Sequence, residues 1–129
     1  KDHELAKLDA IDAEMLPDQK LLLLGEGHCF RDQVLELCPA LIQQNNNRVG
    51  SVTQGSSLET LKYMVATGLG ITVLPESAVG NLDSNSITTR PFTNPAPFRT
   101  VALAWRASFP RGKAIDLLLD TAGTCLINP

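Results

Sequence analysis

Residues 20–33 read Lys20-Leu21-Leu22-Leu23-Leu24-Gly25-Glu26-Gly27-His28-Cys29-Phe30-Arg31-Asp32-Gln33, and the character of the chain changes twice within them. A short, wholly apolar run bounded by turn formers is the signature of a strand buried on both faces. Gly25-Glu26-Gly27 then lets the chain turn sharply. From Cys29 to about Ile42 the apolar residues Phe30, Val34, Leu37 and Leu41 recur at spacings of four, three and four, a stripe down one side of an amphipathic helix. Pro39 removes an amide donor and collides with the carbonyl four residues back, so this helix is expected to end near Leu37 or to kink.

Outward from that unit the pattern repeats. Residues 1–19 are polar and acidic and read as a loop with one short helical turn, closed by Pro17-Asp18. Asn45 to Gly50 read as a polar loop and Val49 to Thr53 as a short strand. Ser56 and Glu59, three apart and ahead of Leu58, Leu61, Met64 and Val65, form a capping box that feeds a second amphipathic helix, with Gly68 and Gly70 ending it. Ile71–Leu74, Ile87–Phe92 and Val101–Trp105 read as further strands, and Arg111 to Ala122 as a last helix with Ile115, Leu118 and Leu119 on one face. Strands alternating with helices predict an α/β layered sheet. The sharpest break in composition, Pro91 to Pro97, is a plausible crossing point between lobes.

The chain has 129 residues, 43% hydrophobic and 19% charged, which suits one compact unit or one lobe of something larger. Its longest apolar run is far short of the roughly 20 residues of a membrane span, and no basic-then-apolar leader opens it, so a cytoplasmic protein with no membrane partner is expected. The net charge of −3 has the wrong sign for gathering nucleic acid by counterion release. Three cysteines, Cys29, Cys38 and Cys125, are too few and of the wrong parity for a secreted disulfide scaffold.

The chemistry concentrates at His28-Cys29-Phe30-Arg31-Asp32, where a buried strand ends and a helix begins, the place where ligand-binding residues collect in open α/β sheets. A thiol there meets the positive end of a helix dipole and unpaired backbone donors, and His28 and Arg31 can add positive charge, which favours the reactive thiolate. The plain alternative makes Cys29 a small hydrophobe, Asp32 a first-turn helix stabiliser and His28 a loop residue. Cys38 bears on the choice. On one continuous helix, nine steps of about 100° place the two sulfurs on opposite faces, and nine rises of about 1.5 Å separate their Cα atoms by roughly 13 Å. A disulfide needs about 7 Å or less, so the pair can bond only if the helix unwinds, which is the layout of a redox switch. The spacing does not supply the four ligands of a zinc site, and no metal or other cofactor is expected.

These residues carry a resemblance. Leu21 to Gln33 with Cys38 downstream is similar to the sensor segment of the peroxide-responsive LysR-type transcription regulators, the OxyR family. The similarity continues through Ser56 to Leu61, Met64 to Ala66, Gly68 to Pro75 and Pro97 to Thr100, while residues 39–50 depart from it. The resemblance implies a LysR-type effector-binding fold, like that of periplasmic binding proteins, with residues 1–92 as the second α/β lobe and 93–129 as the crossover and return segment of the first. It implies that the remaining first-lobe strands, threonines that complete the peroxide pocket and the DNA-binding winged helix-turn-helix are absent from this chain. Cys29 matches the peroxidatic cysteine and Cys38 the resolving one. His28, Arg31 and Asp32 match neighbours that hydrogen-bond peroxide or tune the thiolate, and Arg99 matches an arginine facing that pocket from the lobe boundary. Cys125 has no counterpart and reads as a bystander.

The function so implied is hydrogen-peroxide sensing, not enzymatic turnover, with control of antioxidant genes. The implied partners are peroxide, other copies of the chain in a dimer or tetramer, a thiol reductant such as glutaredoxin or glutathione, and promoter DNA and RNA polymerase in the full-length regulator. A LysR-type lobe that binds a small organic anion near Ser56, Ser57 and Arg99 is the alternative. A thiol peroxidase is a third reading, weakened by the lack of a thioredoxin-type Cys-x-x-Cys.

Overall fold

The computed structural model describes residues 3–40, 53–80, 82 and 85–125. Leu41, Ile42, the expected loop at 45–50 and most of the expected strand at 49–53 lie outside them. The chain forms two compact units, Lys1–Pro97 and Phe98–Pro129.

The first unit is organised around the leucine run. Strand β1 (Leu23–Leu24) pairs in parallel with β2 (Gln54–Gly55), with Leu23 opposite Gln54 and Leu24 opposite Gly55. Leu21 forms a parallel bridge to Ile71 on the other side, through Leu22 N–H to the Ile71 carbonyl at 2.8 Å and Ile71 N–H to the Lys20 carbonyl at 3.0 Å. The leucine run is therefore the centre of a three-segment layer. All four leucines are buried, and they alternate as a pleated strand must. Leu21 and Leu23 pack with Ile11, Leu16, Val34 and Cys38. Leu22 and Leu24 pack with Leu61, and Leu58, Met64 and Val65 lie against that cluster. One face is thus covered by helix α1 (Cys29–Leu37) and the segment around Ile11 and Leu16, the other by helix α2 (Leu58–Ala66). Each buried leucine is worth about 1.5–3 kcal/mol relative to exposure.

The helix ends follow local chemistry, with one correction. The N-cap of α2 is Ser57, whose Oγ accepts from the Thr60 N–H at 3.1 Å, rather than Ser56. Glu59 does not close the expected capping box; its carboxylate holds the Lys62 ammonium at 2.6 Å. The cap moved by one residue because the extended backbone of Ser57 (φ −153°, ψ 164°) already points its hydroxyl at the third amide of the helix. At the other end, Leu69 N–H bonds to the Met64 carbonyl and Gly68 N–H to that of Val65, a Schellman closure. Helix α1 ends at Leu37, and Pro39 and Ala40 are again helical. Pro39 thus lies just past the C-cap Cys38, where it interrupts no bond of α1.

Three expected strands are not formed. Ile71 makes its single bridge, but the Thr72 hydroxyl then donates to the Leu22 carbonyl at 2.9 Å, occupying the acceptor that the next rung of a parallel ladder would use. In 87–92 only Phe92 pairs, in a parallel bridge with Ile11, because Pro91 has no N–H to donate. Residues 1–19 hold two 3-10 turns, Glu4–Lys7 and Ala13–Asp18, where one short turn was expected.

In the second unit, Val101–Trp105 is exposed and carries no regular structure. A strand exists only by pairing, and among the described residues of this unit there is no other strand. Helix α3 (Gly112–Thr124) buries Ile115 but leaves Leu118 and Leu119 exposed. No helix among the described residues is long and apolar enough to cross a membrane.

The closest approach in the layer is at Gly70, where a Cβ would strike the Lys20 carbonyl oxygen and lie 3.3 Å from the Leu22 side chain. Gly80 has open space around it. Gly70→Ala is expected to lower stability to urea by about 1–3 kcal/mol, as overpacking does, while Gly80→Ala stays within about 0.5 kcal/mol of the parent.

Candidate functional site

The site begins where the sheet stops. Gly25 N–H makes the last bond to β2, to the Gly55 carbonyl at 3.1 Å, and a turn closed by His28 N–H to the Gly25 carbonyl at 3.4 Å reverses the chain. Gly27 in that turn has φ 88°, a conformation open to glycine and costly for residues with a Cβ. His28 is the N-cap of α1; its carbonyl accepts from the Arg31 N–H, and its imidazole makes no capping bond. Cys29 is the first residue of the helix and is exposed. Its thiol therefore lies in the turn whose backbone N–H groups lack intrahelical acceptors, with the positive end of the helix dipole beneath it.

Two neighbours fix this geometry. Arg31 Nη1 donates to the Leu24 carbonyl at 3.0 Å, tying the first turn of α1 to the end of β1 and holding a cation there. The Phe30 ring packs against both leucine clusters and spans the edge of the sheet. Asp32 is exposed in the same helical turn.

Cys38 occupies the opposite environment. It caps the C-terminal end of α1, is 4% exposed, and lies among Ile11, Leu16, Leu21, Leu23 and Val34. Its Sγ donates to the Ala13 carbonyl at 2.8 Å. Burial pushes the Cys38 thiol up, and the carboxylates of Glu14 and Asp12 push it further the same way. Loss of a proton in this pocket would create an anion away from water and beside two others, so Cys38 is held as a thiol.

His28, Cys29, Arg31 and Asp32 are thus brought together within one turn, whereas Cys38 lies at the far end of the same unbroken helix. Both thiols are free. At the helical rise their Cα atoms are roughly 13 Å apart, beyond the roughly 7 Å that a disulfide spans. Arg99 is exposed and lies in the second unit, and Cys125 is exposed at the C-cap of α3. Of the hydroxyls considered for an anion site, Ser57 Oγ caps α2 through the Thr60 N–H, and Ser56 Oγ lies 3.4 Å from Thr60 Oγ1. Ala13, Asp12 and Glu14 were not among the residues that sequence pointed to. The available signal was Asp12, a good N-cap residue, between the apolar Ile11 and the apolar pair Met15-Leu16.

The LysR substrate binding domain pattern matches residues 1–124. The chain is 39% identical over 119 residues to a probable hydrogen peroxide-inducible genes activator of Streptomyces viridosporus, covering 91% of this chain and 37% of that protein. It is 38% identical over 121 residues to the HTH-type transcriptional regulator EstR of Acinetobacter baylyi, covering 92% and 38%. Among solved structures, the reduced form of the OxyR regulatory domain from Pseudomonas aeruginosa is 52% identical with a TM-score of 0.81, covering 96% of this chain and 58% of that one. The chain thus spans less than two fifths of the length of these curated relatives, and the resemblance to OxyR holds over nearly all of its own length. It belongs to the LysR substrate-binding domain family.

Proposed function

We propose that this chain is the peroxide-sensing part of a LysR-type transcription regulator and that Cys29 and Cys38 are its redox pair. The observation that carries the reading is the contrast between the two ends of α1: an exposed thiol in the first turn, and a buried, hydrogen-bonded thiol nine residues on. The Cys29 thiolate attacks one oxygen of hydrogen peroxide, the O–O bond breaks, and the departing hydroxide takes a proton to become water. The resulting sulfenic acid is then attacked by Cys38 sulfur as its proton is lost, the S–O bond breaks, and a second water leaves as the disulfide forms. Peroxide is reduced and two thiols are oxidised. His28, Arg31 and Asp32 shape the first step, with Arg31 holding the turn in place.

Because the second step cannot occur on an intact α1, the disulfide forces a change of conformation that the rest of the regulator reads. Residues 1–92 then correspond to the second lobe of the effector domain and 93–129 to the crossover and return segment. Exposed Val101, Trp105, Leu118 and Leu119 would be covered by the remainder of the first lobe in the full-length protein. That cytoplasmic protein would act as a dimer or tetramer on promoter DNA through a winged helix-turn-helix, engage RNA polymerase, and be reset by a thiol reductant such as glutaredoxin or glutathione. The names of the hydrogen peroxide-inducible relatives support this reading.

Treatment with one equivalent of peroxide is expected to lower the mass of the chain by about 2 Da through disulfide formation. Cys29→Ser should abolish this change, while Cys38→Ser should accumulate a sulfenic acid that dimedone traps. A disulfide that still forms in Cys29→Ser would overturn the assignment. The environment of Cys38 also sets a pH dependence. A thiol whose folded pKa is raised binds its proton more tightly folded than unfolded, so its contribution to stability is complete below the ordinary cysteine value of about 8.5 and is lost as pH rises above it. Between pH 8.5 and 10, chemical unfolding of the reduced chain should show stability falling by at most about 1.4 kcal/mol per pH unit from this group, and Cys38→Ala should remove that component of the slope.

A further inference from the structure

The segment Ile11–Leu16 lies against the end of α1 and is itself tightly fixed. Ile11 N–H donates to the Pro91 carbonyl at 2.9 Å, and Thr93 N–H returns to the Ile11 carbonyl at 2.9 Å. Arg90 Nη2 reaches the Ala6 carbonyl at 2.7 Å. Asp12 caps the following 3-10 turn, its Oδ1 accepting from the Glu14 N–H at 2.9 Å, so that the carbonyl of Ala13 is presented inward. Cys38 Sγ donates to that carbonyl, between the buried side chains of Ile11 and Leu16. The backbone of a segment more than 20 residues upstream is thus the direct partner of the Cys38 sulfur.

We infer that Asp12, Ala13 and Glu14 form a clamp that positions Cys38 and sets the rate at which it is released to Cys29, so that this segment governs disulfide closure without touching the peroxide. The inference rests on the redox pairing above for its consequence, but the clamp itself is a property of the fold. Release requires the S–H to leave the Ala13 carbonyl and the cysteine to leave the Ile11–Leu16 side of the core. The negative charge of Asp12 and Glu14 keeps the sulfur protonated for as long as it stays. Peroxide reaching Cys29 meets none of these groups, which lie at the other end of α1, so the two chemical steps are controlled separately. A sulfenic acid therefore waits on the clamp, and the length of that wait fixes how brief an exposure the sensor ignores.

The test separates the clamp from the redox reading. In a Cys29→Ser, Cys125→Ser background Cys38 is the single thiol, and its rate of labelling by iodoacetamide in the folded chain reports release directly. Asp12→Ala, which removes the cap, is expected to raise that rate about fivefold, the usual effect of losing a cap. Glu14→Gln, a change at an exposed position, should raise it by a smaller factor with the unfolding midpoint unchanged. With Cys29 restored, the same substitutions should speed disulfide closure by matching factors and leave sulfenic acid formation unchanged. Labelling rates equal to the parent in both variants would overturn the clamp, as would faster labelling with unaltered closure. If no sulfenic acid forms at Cys29 in any of these proteins, the peroxide reading fails while the labelling result for the clamp stands.

Discussion

Burial of both faces of Leu21–Leu24 is the constraint on which the rest of the first unit depends. A strand with solvent on one side would need covering only on the other. Here alternate leucines face two separate apolar clusters, so the chain must supply a helix and the Ile11–Leu16 segment on one face and a second helix on the other. Where the strand stops, Gly25 to His28 must turn at once for α1 to lie back over Leu21 and Leu23. That turn leaves Cys29 at the exposed N-terminus of the helix. The same packing carries the end of α1 back into the core, which places Cys38 beside Leu21 and Leu23. The contrast between the cysteines is thus a consequence of how one strand is covered.

This arrangement gives two chemically identical side chains different surroundings. Cys29 has helix N–H dipoles beneath it and Arg31 in the same turn. Cys38 is buried, with a carbonyl acceptor and two carboxylates nearby. Burial with flanking carboxylates favours the protonated form of Cys38. The pairing is therefore suited to a reaction in which one thiol acts first and the other only after it has moved. If the two are the redox pair proposed above, the roughly 13 Å between them makes oxidation a structural event rather than a local repair.

The leucine run, the turn, the helix over Cys29–Leu37 and the second amphipathic helix were legible in the sequence because each is specified by neighbours within one or two turns. The family resemblance was legible for the same reason, since the sensor motif is contiguous. The strands at 71–74 and 87–92 were not, because a strand depends on partners far along the chain and on details such as the Thr72 hydroxyl taking the Leu22 carbonyl and Pro91 lacking an N–H. The surroundings of Cys38 were hidden likewise: its contact with Ala13 joins residues 25 apart through a backbone atom, and no side-chain pattern announces a carbonyl. Cys29 could be read from its motif, whereas the restraint on Cys38 could only be seen in the fold.

The central claim is that bonding Cys29 to Cys38 requires α1 to unwind. Amide hydrogen exchange compared between the reduced chain and the chain oxidised by one equivalent of peroxide tests it directly. The account predicts that the amides of 32–37 lose their protection on oxidation while those of 62–66 in α2 keep theirs. A disulfide between Cys29 and Cys38 formed with α1 as protected as in the reduced chain would contradict it.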